Sequence, residues 1–77
     1  LNGHVNSVKY IEHILDLFPM EWFRQKTVKR FEVAYVAESY YGDTLSFYRQ
    51  QISENEFDIE VKKNGQKVVV RSKVISN

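Results

Sequence analysis

The sequence opens on an imidazole flanked by carboxamides. In Leu1-Asn2-Gly3-His4-Val5-Asn6-Ser7, the side chains of Asn2, His4 and Asn6 stand at alternate positions just before a segment of helical periodicity. The first turn of a helix leaves backbone N–H groups without intrahelical partners, and the helix dipole adds partial positive charge at the same place. A carbonyl held there is polarised as it becomes an oxyanion, with an amide such as that of Asn2 as an additional donor. A histidine such as His4 can move a proton near neutral pH. Each residue also has a plainer reading. Asn2-Gly3 is a common turn, a histidine near a chain end is usually a solvated side chain, and Asn6 most simply caps the helix by accepting an N–H bond.

Other chemistries are poorly served. The chain has two histidines and no cysteine, which removes disulfides, a thiol nucleophile and thiolate zinc sites. His4 and His13 lie on opposite sides of the helix entrance, so a histidine metal site is not expected, and no cofactor is implied. His13 falls among Lys9, Glu12 and Asp16 on a polar helix face and reads as solvent-exposed. A net charge of +1 gives no general field for nucleic acid or an anionic membrane. Two basic clusters remain, Lys62, Lys63, Lys67, Arg71 and Lys73, and Arg24, Lys26, Lys29 and Arg30. Both read first as solvated surface, and either suits docking of an acidic protein better than single-stranded nucleic acid. No apolar run approaches the roughly 20 residues of a membrane span. The absence of cysteine fits a reducing cytoplasm.

The elements that must position these residues are legible from periodicity. From Asn6 to Phe18, apolar Val8, Ile11, Ile14, Leu15 and Phe18 recur at three-and-four spacing, opposite Lys9, Glu12, His13 and Asp16. This predicts an amphipathic helix, stopped by Pro19. Met20 to Gln25, with Trp22 and Phe23, predicts a further short helical turn packed under it. From Thr27 the period changes to two: Phe31, Val33, Tyr35 and Ala37 alternate with Glu32, Ala34, Val36 and Glu38. Gly42-Asp43 breaks this strand. Thr44–Ile52 gives a second, Ser53-Glu54-Asn55 a turn, and Phe57, Ile59 and Val61 a third. Asn64-Gly65 is a strong hairpin signal because both turn residues need positive φ, and Val68–Ile75 returns as the fourth strand. The expectation is an α+β layer, one helix lying on a four-strand antiparallel meander with open edges.

At this point the sequence resembles the acyl-ACP thioesterases. Members carry an Asp-x-Asn-x-His-Val-Asn-Asn-Val-x-Tyr-Ile segment entering the helix of their second hot-dog domain. Here Asn2, His4, Val5, Asn6, Val8, Tyr10 and Ile11 stand in register, with Ser7 in place of one Asn. A second signature, Tyr-Arg-Arg-Glu-Cys followed by a charged turn, reads Tyr35-Val36-Ala37-Glu38-Ser39 and then Gly42-Asp43. The basic pair is absent and serine stands in the cysteine position, which argues against a thiolate mechanism.

The resemblance implies a hot-dog fold and hydrolysis of acyl-acyl carrier protein to free fatty acid in fatty acid biosynthesis. It implies that residues 1–77 are a single, partial hot-dog domain, the C-terminal catalytic half of a tandem enzyme. Asn2, His4 and Glu38 are the implied catalytic residues, with Ser39 and Asn6 as further candidates. Glu38, or an aspartate expected just before Leu1, is the general base. Glu38 otherwise reads as a solvated carboxylate. In a regular strand it and Ser39 face opposite sides, so both can aim at His4 only across a bulge. The implied partners are an acyl carrier protein, a preceding hot-dog domain and a second copy of the chain. An acyl-CoA thioesterase of the same fold and a non-catalytic acyl-binding module are the alternatives.

Overall fold

The computed structural model describes residues 7–77, with side chains from Lys9 onward. Helices α1 (Ser7–Leu15) and α2 (Met20–Gln25) precede strands β1 (Val28–Tyr35), β2 (Leu45–Ser53), β3 (Glu56–Lys63) and β4 (Lys67–Ser76). The strands form one antiparallel sheet that carries α1 on one face, the α+β hot-dog arrangement.

The helix ends earlier than its apolar pattern predicts. Past Leu15 the chain tightens, Leu17 N–H donating to the Ile14 carbonyl and Phe18 N–H to that of Leu15, both at 3.1 Å. This i→i+3 turn drops Phe18 into the core before Pro19 redirects the backbone. The short helix expected at Met20–Gln25 forms there. It packs Trp22 and Phe23 on Phe18, ring centroids 4.6 and 6.2 Å away.

The sheet departs from a simple meander. Its order is β1-β4-β3-β2. Strands β2, β3 and β4 follow one another as expected, but β1 pairs with β4, and residues 36–44 carry the chain from one edge of the sheet to the other. A nine-residue connection is too long for the two-to-five-residue hairpin that would seat β2 beside β1. At the turn between β3 and β4, Asn64 and Gly65 have φ of 53° and 69°, as the Asn-Gly signal predicts.

The core lies between α1 and the face of the sheet made by Phe57, Ile59 and Val61 of β3 and Val70 and Val74 of β4. Tyr10, Ile14 and Phe18 are the fully buried helix-side residues, with Ile11 and Leu15 half-buried. Arg49 closes the end of this layer. Its guanidinium lies 5.2 and 5.3 Å from the ring centroids of Phe18 and Phe57 and donates at 2.8 Å to the Leu17 carbonyl.

Strand β4 bulges where it pairs with β3. Val61 pairs with Val70 but Lys62 with Val68, so Val69 is an extra residue. Val69 and Val70 are both buried as a result, and the Val69 carbonyl turns toward the end of β1.

Candidate active site

The candidate site is built on the crossing segment 36–44, and most of its hydrogen bonds come from elsewhere in the fold. Val36 and Ala37 N–H share the Val69 carbonyl at 2.8 and 3.3 Å, which ends β1 at Tyr35. The Lys63 ammonium donates at 3.0 Å to the Glu38 carbonyl. Ser39 Oγ is hydrogen-bonded to the Tyr10 hydroxyl, at the end of the first turn of α1. Tyr40 N–H donates to Asp43 Oδ2 and Asp43 N–H returns to the Tyr40 carbonyl, each at 3.0 Å. Asn64 Nδ2 reaches Asp43 Oδ1 at 3.4 Å, while Asn64 Oδ1 accepts from Thr44 N–H at 3.1 Å. Gly42, at φ 131°, supplies the one backbone shape in this segment that a side chain would resist.

Glu38 and Ser39 therefore belong to a braced loop and not to the end of a strand, which corrects the period-two reading of Ala37 and Glu38. Ser39 turns inward and is only 4% exposed. Glu38 turns outward, and its Oε2 accepts at 2.7 Å from the Tyr40 hydroxyl. The first turn of α1 and the Glu38–Ser39 pair are thus brought together by the Tyr10–Ser39 contact. Tyr10 is a core residue, its ring edge-on to Tyr35 at 6.1 Å. Asn2, His4 and Asn6 lie outside the described residues. His13 is exposed as expected, its ring 5.4 Å from that of Phe47.

Sequence reading missed Tyr40, Lys63, Asn64 and Val69 as parts of this site. Asp43 beside Gly42 carried a turn signal, but the bulge that frees the Val69 carbonyl has no sequence mark. Electrostatics follow the same contacts. The Tyr40 N–H bond holds the Asp43 carboxyl below its ordinary value of 3.8 against the opposing effect of burial, with lesser help from Asn64 and Lys63. The hydrogen bond to Glu38 and its negative charge push the Tyr40 phenol above 10.0.

The opposite face of the sheet is a different surface. There Lys73 meets Glu56 at 3.1 Å and Asp58 at 3.9 Å, Arg71 and Lys62 meet Glu60 at 3.7 and 3.8 Å, and Arg30 pairs with Glu32. Much of the two basic clusters is thus interleaved with carboxylates. A groove of about 610 Å³ runs over this face between Glu32, Tyr48, Gln50, Asp58 and Arg71. None of Tyr10, Glu38 or Ser39 lines it. Among the described residues no three His, Cys, Asp or Glu side chains converge as metal ligands, and no helix is long and apolar enough to cross a membrane.

Comparison with known proteins agrees with this architecture. The family described as "Acyl-ACP thioesterase C-terminal domain" matches residues 1–75. A solved acyl-ACP thioesterase from Bacteroides thetaiotaomicron is 66% identical and superposes with a TM-score of 0.95, over 100% of this chain and 32% of that one. The 12:0-ACP thioesterase from Umbellularia californica is 21% identical with a TM-score of 0.81, over 100% and 30%. A hypothetical protein from Aquifex aeolicus is 16% identical with a TM-score of 0.73, over 97% and 80%. The last two likenesses speak for the fold alone. The chain spans 32% and 30% of the length of the two thioesterases. No curated protein sequence matches it. With a match that runs over nearly every residue and a helix-on-sheet layer of the same shape, the chain belongs to the acyl-ACP thioesterase family, in its C-terminal domain.

Proposed function

We propose that the protein carrying this chain is a thioester hydrolase that releases free fatty acid from acyl-acyl carrier protein. In this reading the chain is the C-terminal, catalytic half of a tandem hot-dog enzyme, and a preceding hot-dog domain holds the acyl chain. The observation that carries it is the Tyr10–Ser39 hydrogen bond, which ties the Glu38-bearing loop to the first turn of α1. Asn2 and His4 precede that same turn in the sequence, three to five residues upstream of Ser7. A carboxylate, an imidazole, an amide and a helix N-terminus suffice for attack of water on a thioester.

The steps follow from these groups. Glu38 takes a proton from water as the water oxygen bonds to the thioester carbonyl carbon. The carbonyl oxygen becomes an oxyanion facing the Asn2 amide and the N–H groups of the first helical turn. Collapse of this intermediate breaks the carbon–sulfur bond, and His4 delivers a proton to the departing pantetheine sulfur. The products are the fatty acid and the carrier thiol. Such a protein works in the cytoplasm, in fatty acid biosynthesis.

The test uses the natural full-length protein and compares acyl-ACP with acyl-CoA of matched chain length. Acyl-ACP turns over with the higher kcat/KM, and Asn2→Ala and His4→Ala each lower that value by about two to four powers of ten while circular dichroism stays native. Preference for acyl-CoA makes the protein an acyl-CoA thioesterase of the same fold. Turnover of neither makes it a non-catalytic module.

A further inference from the structure

Glu38 is exposed and carries three side-chain torsions, so nothing in its own backbone fixes where its carboxylate points. The structure nevertheless holds it. The Tyr40 hydroxyl donates to Glu38 Oε2 at 2.7 Å, the length of a charge-assisted O–H···O⁻ bond. Tyr40 is itself fixed at the main chain, since its N–H and carbonyl both engage Asp43 at 3.0 Å. Asp43 is tied to Asn64, and Asn64 is set by the positive-φ turn between β3 and β4. A line of contacts thus runs from the Asn64-Gly65 turn to one carboxylate oxygen. On the other flank, the Glu38 carbonyl is pinned by Lys63 and the next residue by Tyr10.

We infer that Tyr40 is a positioning residue, whose hydroxyl selects the rotamer in which the Glu38 carboxylate serves as base. This rests on the proposed role of Glu38. An ionised carboxylate offers about four acceptor sites, so a phenol at one of them orients the group and leaves the other sites open to a proton from water. A tyrosine is suited to the task because only two torsions need ordering, against three for the glutamate it holds. The hydrogen bond to Glu38, together with its negative charge, keeps the phenol protonated above its usual range, so it remains a donor throughout neutral pH. The sequence carries no mark of this role, because the contact depends on how the loop before Gly42-Asp43 is braced.

The experiment is a double-mutant cycle in the natural full-length protein: wild type, Tyr40→Phe, Glu38→Gln and the double variant. Each is assayed on the acyl-ACP that the wild type turns over fastest in a saturated series. Phenylalanine keeps the ring at a position already 45% exposed, so the fold is not at stake. Tyr40→Phe lowers kcat about tenfold, the scale of one lost hydrogen bond to a charged group, and leaves KM within about twofold. In the Glu38→Gln background the same change has no further effect on kcat. Wild-type kcat for Tyr40→Phe, beside a disabled Glu38→Gln, overturns the positioning role and leaves the base assignment standing. An undiminished tenfold loss in the Glu38→Gln background also overturns it, because the phenol then acts on something else. A Glu38→Gln variant with wild-type kcat removes the base assignment and the positioning role together.

Discussion

At the scale of residues, the useful contrast is between neighbours. Ser39 occupies the position where the family signature carries cysteine, yet its hydroxyl is buried against a phenol, and a phenol is not a base that would activate it. Its hydroxyl satisfies Tyr10 inside the core and so holds the loop to the helix. Removing one partner of a buried pair strands the other, at about 1–3 kcal/mol. Ser39→Ala and Tyr10→Phe in the full-length protein therefore each lower stability by about that amount in urea unfolding, while Ser39→Ala retains most of the thioesterase rate. The double variant, with neither hydroxyl, costs clearly less than the sum of the two. Additive losses would show that the pair does not interact, and an acyl-serine trapped by mass spectrometry would restore Ser39 as a nucleophile.

At the scale of elements, the crossing segment 36–44 is the part on which the site depends. It is irregular, but two features of regular structure discipline it, the bulge at Val69 and the Asn64-Gly65 turn. The Asp43 carboxylate is the hinge of this bracing, and its folded-state value lies below 3.8 because the charged form accepts the Tyr40 N–H. A depressed carboxyl contributes stability above its unfolded value and loses it as pH falls through the lower, folded one. The neutral range is therefore unaffected, and the loop loosens only below about pH 4. The backbone amide resonance of Tyr40 should titrate with a midpoint under 3.8, and this step should vanish in Asp43→Asn. A midpoint above that value, or none, would separate Asp43 from the bracing of the loop.

At the scale of the whole molecule, the chain is a slab. Its principal extents are 38 × 22 × 17 Å and its radius of gyration is 13.0 Å. A compact domain of this length would have a radius near about 11.5 Å. Among the described residues, α1 covers one face of the sheet and nothing covers the other. Strands β1 and β2 are both edges, eight and nine residues long, and Val28, Tyr35, Tyr48 and Ile52 on them are exposed. Such edges offer unpaired N–H and carbonyl groups to another chain. Residues 1–77 produced alone should self-associate, with a mass above that of the 9.2 kDa monomer in sedimentation at high concentration, and should show almost no thioesterase activity. A stable, fully active monomer would end the reading of this chain as one half of a two-domain enzyme.

The sequence by itself determined the elements and the family. The three-and-four spacing of Ile11, Ile14, Leu15 and Phe18, the alternation of Phe57, Ile59 and Val61, and Pro19 and Asn64-Gly65 are local signals, because helix, strand and turn are decided by residues near one another in the chain. The Asn2-to-Ile11 segment gave the resemblance that the match over residues 1–75 bears out. Only the tertiary structure decided that β1 lies beside β4 and that Ser39 turns in while Glu38 turns out. Those outcomes depend on partners far away in sequence. The Val69 carbonyl ends β1, Tyr10 draws Ser39 inward across a separation of 29 residues, and Tyr40, held through Asp43 and Asn64, takes the Glu38 carboxylate. Hydrogen-bond satisfaction of a buried hydroxyl and of a loop backbone is settled by where the rest of the chain comes to rest, and no periodicity records it.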